Sequence, residues 1–289
     1  DTSNPPLTQT PQYQCYFIYD TTAPVSSVLS VADNKAYSAI TIASGSCNDV
    51  QPSPSPPNAA YSNKISSVEI SIQNLTLGNT WWTGSGWVSQ TPVYWSSATN
   101  FVVGNPTWTY TNLTNAFKSG WQYKLKTRAY DGALPNNIQT VLNEYTVVYD
   151  THPPVSNLTA PETANPNYGP SKPLPTISGN SNDNLSTPNK ADVNNVKVRI
   201  STGTPAVYWN GTNWTGTSAS WLNTDTSATN PFVFTSTPVW ANGKEYRVET
   251  RATDNGVPSG NVEVSYSTVT FKYDSELPTS YITEPNSQF

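Results

Sequence analysis

Six aspartates stand in two sets of three at matched places of an internal repeat: Asp20, Asp49 and Asp131, then Asp150, Asp183 and Asp254. Carboxylates are hard oxygen donors, and Ca²⁺ takes roughly six to eight oxygens in flexible geometry. Three Asp among carbonyl-rich turns and Asn side chains are therefore a candidate ligand set. The same residues have a second use, since Asp before Pro or Gly commonly bonds its own backbone in a turn. The sequence leaves both uses open. Calcium at these places would be structural, stiffening the joins between repeats into a rod; no other cofactor is required.

Other reactive groups are sparse. The one histidine, His152, lies in a join where its counterparts are Thr22 and Glu276. No Ser-His-Asp or Cys-His mechanism has an obvious source, and nothing marks a pair of acids of the glycosidase kind. The sequence reads as non-enzymatic. Cys15 and Cys47 are the only cysteines; in an exported chain they would form a disulfide, the alternative being two buried thiols. An intermolecular bond is a variant of the first reading.

Ten Trp and seventeen Tyr invite a sugar-binding reading, because aromatic faces stack on sugar rings. Trp82 and Trp87 align with Trp209 and Trp214, Trp95 with Trp221, and Phe117 with Trp240. Aromatics kept in both repeats are more simply packing anchors. Trp81, Trp108 and Trp121 lack an aligned Trp and are the candidate glycan or partner contacts. Six Asn-x-Ser/Thr sequons, at Asn74, Asn112, Asn157, Asn184, Asn210 and Asn213, are glycan acceptors in an exported protein. With 31 Asn and 73 Ser or Thr, chance alone gives roughly eight, so the motif count adds nothing to composition.

Composition narrows the partners. Charged residues are 11% of the 289 and the net charge is −5, with no basic run, so no footprint for nucleic acid exists. No apolar stretch approaches the ~20 residues that span a bilayer. Without an initiator Met or leader at Asp1, the chain reads as a mature or excised form. The absence of Met, the Ser/Thr/Asn-rich surface and the 25 Pro suit an extracellular or cell-surface setting.

The elements that must position these residues emerge from the repeat. Asp20 and Asp150 are 130 residues apart, and Asp150 and Asp274 are 124 apart. "ISSVEISI" faces "VNNVKVRI", "WTGSGW" faces "WNGTNW", and "YKLKTRAYDGALPNN" faces "YRVETRATDNGVPSGN". Alternation predicts half-buried strands: Tyr246, Val248, Thr250 and Ala252 inward with Arg247, Glu249 and Arg251 outward, and Val196, Val198 and Ile200 inward. No helical period exceeds two turns. The prediction is an all-β chain of two tandem immunoglobulin-like β-sandwiches of about seven strands each. Tyr123 and Tyr246 open the penultimate strand, where such folds place a tyrosine that bonds back to the chain. In that topology the start of a domain, its B–C loop and its F–G loop meet at one end, which gathers each Asp triad.

The phrases "YW-x-G-x-x-W", "G-x-x-Y-x-V-x-x-RA-x-D" and "F-x-YD-x-x-x-P" resemble the bacterial immunoglobulin-like (Big-type) tandem repeats of large secreted and cell-surface proteins, over nearly the whole chain after Asp20. The resemblance implies extracellular arrays, adhesins, stalks or filaments without activity of their own. The first repeat departs from the pattern in a Pro/Ser insertion, "VQPSPSPPNAAYSN", and in "YDGALPNN".

The joins "YFIYDTTAP", "TVVYDTHPP" and "TFKYDSELP" recur three times although only two repeats are complete. "QYQCYFIYD" aligns with a last strand and "SELPTSYITEP" with a first strand, so an extra strand is expected at each end. The expected organisation is an N-terminal extension at 1–20, domains at 21–150 and 151–274, and an orphan first strand at 275–289. On this reading identical subunits join head to tail by exchange of terminal strands into an extracellular filament or surface appendage, with Cys15–Cys47 as a staple. The alternative is a fragment of a long stalk or adhesin, with glycans as its partners.

Overall fold

The computed structural model describes residues 19–49, 65–102, 106–226 and 230–284. All regular structure in them is strand, as alternation and the lack of helical period predict. The first repeat supplies β1 (Val25–Val28), β2 (Lys35–Tyr37), β3 (Ala43–Asn48), β4 (Ile65–Asn74), β5 (Thr80–Trp82), β6 (Trp87–Ser89), β7 (Ser96–Ser97), β8 (Asn100–Phe101), β9 (Thr107–Tyr110), β10 (Trp121–Asp131) and β11 (Glu144–Tyr149). The second supplies β12 (Pro154–Ala160), β13 (Asn167–Tyr168), β14 (Ile177–Asp183), β15 (Val193–Thr202), β16 (Val207–Trp209), β17 (Trp214–Thr215), β18 (Leu222–Asn223), β19 (Phe232–Phe234), β20 (Glu245–Asp254) and β21 (Ser267–Tyr273).

The sheets repeat as the sequence does. One sheet of each copy runs β1-β3-β9-β8 or β12-β14-β19, the other β2-β11-β10-β4-β5-β6 or β13-β21-β20-β15-β16-β17, with β7 on β4 and β18 on β15. β2 joins β11 and β13 joins β21 in parallel, while β1/β3, β3/β9, β12/β14, β15/β20 and β20/β21 pair antiparallel. The chain thus starts each sandwich on one sheet and crosses to the edge of the other, the immunoglobulin-like arrangement. Spatially it divides into two compact units, Asp1–Ala32 with Thr41–Ala116 and Lys124–Tyr145, and Asp33–Ile40 with Phe117–Tyr123 and Thr146–Phe289.

Alternation sets the core. Tyr246, Val248, Thr250 and Ala252 are buried on β20, and Val196, Val198 and Ile200 on β15, as their period requires. Burying each large apolar side chain is worth about 1.5–3 kcal/mol. Glu249 departs from the pattern: it faces outward yet is 3% exposed. Arg199 Nε at 2.6 Å and Arg247 at 2.8 Å cover its carboxylate, and Arg199 and Arg251 both lie over the Trp221 ring. The tyrosine prediction holds in both copies, with the backbone N–H of Lys118 donating to Tyr123 Oη and that of Ala241 to Tyr246 Oη, each at 2.8 Å.

Gly45 on β3 and Gly179 on β14 sit where the first strand and an aromatic ring converge. A Cβ on Gly45 would run into Ser27 O and the Trp108 ring, and one on Gly179 into Asn157 O and the Phe232 ring. Trp108 pairs with Gly45 and Phe232 with Gly179 across the sheet. Trp108 and Phe232 are therefore equivalent core residues. Residues 275–284 have no assigned strand. The N-terminal last strand falls within 1–18 apart from Tyr19 and Asp20, and so lies outside the described residues, as does the Pro/Ser insertion at 50–63.

Candidate metal centres

Each triad assembles from three places in one sandwich: the join leading into β1 or β12, the end of β3 or β14, and the end of β10 or β20. Asp150, Asp183 and Asp254 bring one carboxylate oxygen each to within 4.8 Å of the others, and so do Asp20, Asp49 and Asp131. In the second unit all three are buried; in the first Asp20 is half-buried and the other two buried.

The second site is shaped by backbone donors. Asp150 Oδ1 accepts from the His152 N–H at 2.9 Å and Oδ2 from the Ala191 N–H at 2.7 Å. Asp254 Oδ1 accepts from the N–H groups of Gly256 and Asn261, and its Oδ2 from Asn261 Nδ2 at 2.8 Å. Asp183 differs. Its Oδ1 accepts from the Leu185 N–H at 2.8 Å, while its buried Oδ2 has no hydrogen-bond partner among the described residues. Burial pushes the Asp183 carboxyl above its usual range, the Leu185 bond opposes this, Asp150 and Asp254 add to the rise, and Lys190 opposes it. Lys190 Nζ is itself held on the carbonyls of Asp183 and Leu185.

Three buried carboxylates at this spacing, one with an unbonded oxygen, favour either a proton or a cation among them. The donor set is all oxygen, which fits Ca²⁺ and excludes nothing harder. Singly bonded oxygens such as Asp254 Oδ2 keep a lone pair for a metal.

The first site repeats the frame. Asp131 Oδ1 accepts from the N–H groups of Ala133 and Asn137, and Oδ2 from Asn137 Nδ2 at 2.7 Å. Asp20 Oδ1 accepts from the N–H and hydroxyl of Thr22. Asn137 Nδ2 also donates to Asp20 O at 3.0 Å, as Asn261 Nδ2 does to Asp150 O at 2.9 Å. These two asparagines tie the Asp of the join to the Asp that ends β10 or β20 in each copy, and sequence reasoning passed over them. The signal was an Asn six or seven residues after the Asp that ends β10 or β20.

The other candidates separate by burial. Trp108 is 1% and Trp81 4% exposed, so neither can stack on a glycan: Trp108 fills the space above Gly45, and Trp81 is covered on β5, where the matching residue of β16 is Tyr208. Trp121 is half-buried with Lys118 Nζ 4.6 Å from its ring centre. Asn74 is fully buried and its Oδ1 accepts from the Leu77 N–H, so the fold has no room for a glycan there. Asn112, Asn157, Asn184, Asn210 and Asn213 are exposed. Cys47 is buried on β3, and burial pushes its thiol to about 11; Cys15 lies outside the described residues.

His152 has company that the sequence did not announce. Ser119 Oγ is 2.8 Å from His152 Nδ1, and Asp150 Oδ1 is 4.0 Å from the same nitrogen. A serine-activating histidine needs hydroxyl and acid on opposite ring nitrogens. The arrangement instead closes a turn, with Ser119 Oγ accepting from the Thr151 N–H at 2.9 Å. No helix among the described residues is long and apolar enough to cross a membrane.

No protein family matches this chain in sequence, and no curated protein does. Similar solved structures include a Ca²⁺-stabilized adhesin that helps an Antarctic bacterium bind ice, at 10% identity and a TM-score of 0.34, over 89% of this chain and 50% of that one. Another is from work on host cell surface retention of a 1.5-MDa bacterial ice-binding adhesin, at 11% identity and 0.32, over 91% and 68%. A third is the FN1–FN3 part of chicken CNTN1, at 11% identity and 0.26, over 89% and 68%. This chain spans half the length of the first of these.

Proposed function

We propose that the chain is a structural segment of an extracellular array of bacterial immunoglobulin-like repeats, a stalk or adhesin shaft without catalytic activity, in which Ca²⁺ at each Asp triad ties the first strand to its own sandwich. The observation that carries the proposal is Asp183 Oδ2, buried and unbonded beside Asp150 and Asp254. The first triad supports it by repeating the frame. An ion at the triad joins the residue before the first strand to two loops that the strand must otherwise hold by its own pairing. Calorimetric melting in millimolar Ca²⁺ and in chelator tests this: the midpoint should rise with Ca²⁺, and an unchanged midpoint would remove the ion from the proposal.

Two finer readings go with it. A Cys15–Cys47 bond would staple the N-terminal strand to β3, and a mass change on reduction and alkylation of the unfolded chain detects it. Head-to-tail polymerisation by terminal strands is favoured by the exposure of Leu277, Tyr281 and Ile282. Electron microscopy of full-length and trimmed (21–274) chains tests it: filaments that persist without both tails would rule strand exchange out.

A further inference from the structure

The residues after β21 are held as the residues after β11 are, and after β11 the chain enters a sandwich. Asp274 N–H donates to Tyr168 O at 2.9 Å, as Asp150 N–H does to Tyr37 O at 2.9 Å. Gly243 N–H donates to Tyr273 O at 2.8 Å, as Gly120 N–H does to Tyr149 O at 2.9 Å. Ser275 N–H donates to Asn242 Oδ1 at 2.7 Å where Thr151 N–H donates to Ser119 Oγ at 2.9 Å. The turn is also the same at all three joins: Oδ1 of Asp20, Asp150 and Asp274 accepts from the N–H two residues on, each at 2.9 Å.

The segment beyond this turn carries the marks of a first strand. In both sandwiches that strand points one serine into the interior, onto a buried side chain that follows the penultimate strand. Ser26 Oγ donates to Gln139 Oε1 and Ser156 Oγ to Glu263 Oε2, both at 2.6 Å. Ser26 pairs with Cys47 and Ser156 with Ser181, so the serine fixes the register. Two residues on, Val28 is buried and Leu158 packs against the core. In the chain spacing that superimposes Asp274 on Asp150, Ser280 takes the serine place and Ile282 the core place, with Pro278 on Pro154. Yet Leu277 is 87%, Tyr281 86% and Ile282 88% exposed.

We infer that residues 275–284 are the first strand of a further sandwich of this same repeat, seated where β1 and β12 sit in theirs, with Ser280 Oγ bonded to a buried Gln or Glu of that module. The partner is thus a module with an open edge on its counterpart of β3 and β14, a glycine at the Gly45/Gly179 place and an acceptor at the Gln139/Glu263 place. This rests on reading the chain as a segment of an array, but not on the metal.

The test is a transplant within the full chain, in chelator, so that its outcome is independent of calcium. Residues 151–160 are replaced by the sequence of 275–284, with the sequence of 21–30 and a scrambled segment as controls, and urea unfolding of the second unit is followed. The transplant should unfold cooperatively at a midpoint near the 21–30 control, and Ser280→Ala within it should lower the folding constant by about tenfold through the lost bond to Glu263. A transplant that behaves as the scrambled segment does, or that is indifferent to Ser280→Ala, overturns the inference.

Discussion

Asp183→Asn should move the stability of the second unit in opposite directions with and without calcium. In chelator the wild-type site holds three buried acids within 4.8 Å. A like-charge pair at such a distance repels by about 3 kcal/mol at an effective dielectric of ~20. Asp183 relieves part of that by binding a proton more readily than a free carboxyl, so the neutral amide should gain only about 1–2 kcal/mol, or roughly 3–6 °C in midpoint. With Ca²⁺ a hundredfold above its dissociation constant, the wild-type site gains about 2.7 kcal/mol, roughly 8 °C. The variant lacks the oxygen that has no other partner and should gain little at this site. Asp183→Asn is then more stable than wild type in chelator and less stable in calcium, read by scanning calorimetry of both proteins in both buffers. Shifts of the same sign in the two buffers would refute the reasoning.

The same geometry sets other outcomes. In chelator the raised Asp183 carboxyl contributes stability that is present below its unfolded value and lost as pH rises through its higher folded value; wild type should therefore gain on Asp183→Asn as pH falls through that window, measured as midpoint against pH. Gly179→Ala places a methyl into Asn157 O and the Phe232 ring and should cost at least about 3 kcal/mol in urea unfolding. Tyr246→Phe removes the bond to the Ala241 N–H and should cost about 1 kcal/mol by the same assay. In a glycosylating host, peptide mapping should find Asn74 bare while exposed sites such as Asn157 and Asn184 are available.

The strand plan was legible because β4, β10, β15 and β20 alternate cleanly and because two copies cross-check each other. The triads were legible for the same reason: each Asp recurs at an aligned place of the repeat, and sandwich topology brings those places together. Trp81 and Trp108 misled because a Trp without an aligned Trp can still share its packing place with another aromatic. Trp108 is matched by Phe232, and only the pairing with Gly45 and Gly179 reveals one packing site in both copies. Asn74 misled because a sequon is three residues of local code, while its burial is decided at the end of β4 by Leu77 and the turn after it. Glu249 was placed outward correctly, but sequence periodicity says nothing of what covers an outward face, and here two arginines do. The serine-to-Gln/Glu bonds span 113 and 107 residues and involve different acceptors in the two copies, so neither local pattern nor residue identity could announce them.

Metal stoichiometry tests the central claim most directly. The chain should be equilibrated with calcium, freed of excess by gel filtration and analysed by mass spectrometry under native conditions, beside Asp183→Asn. Two bound Ca²⁺ per wild-type chain, one for each triad, and one per variant chain are predicted. A wild-type chain that carries none after equilibration in millimolar calcium and gel filtration would contradict the proposed role of the triads.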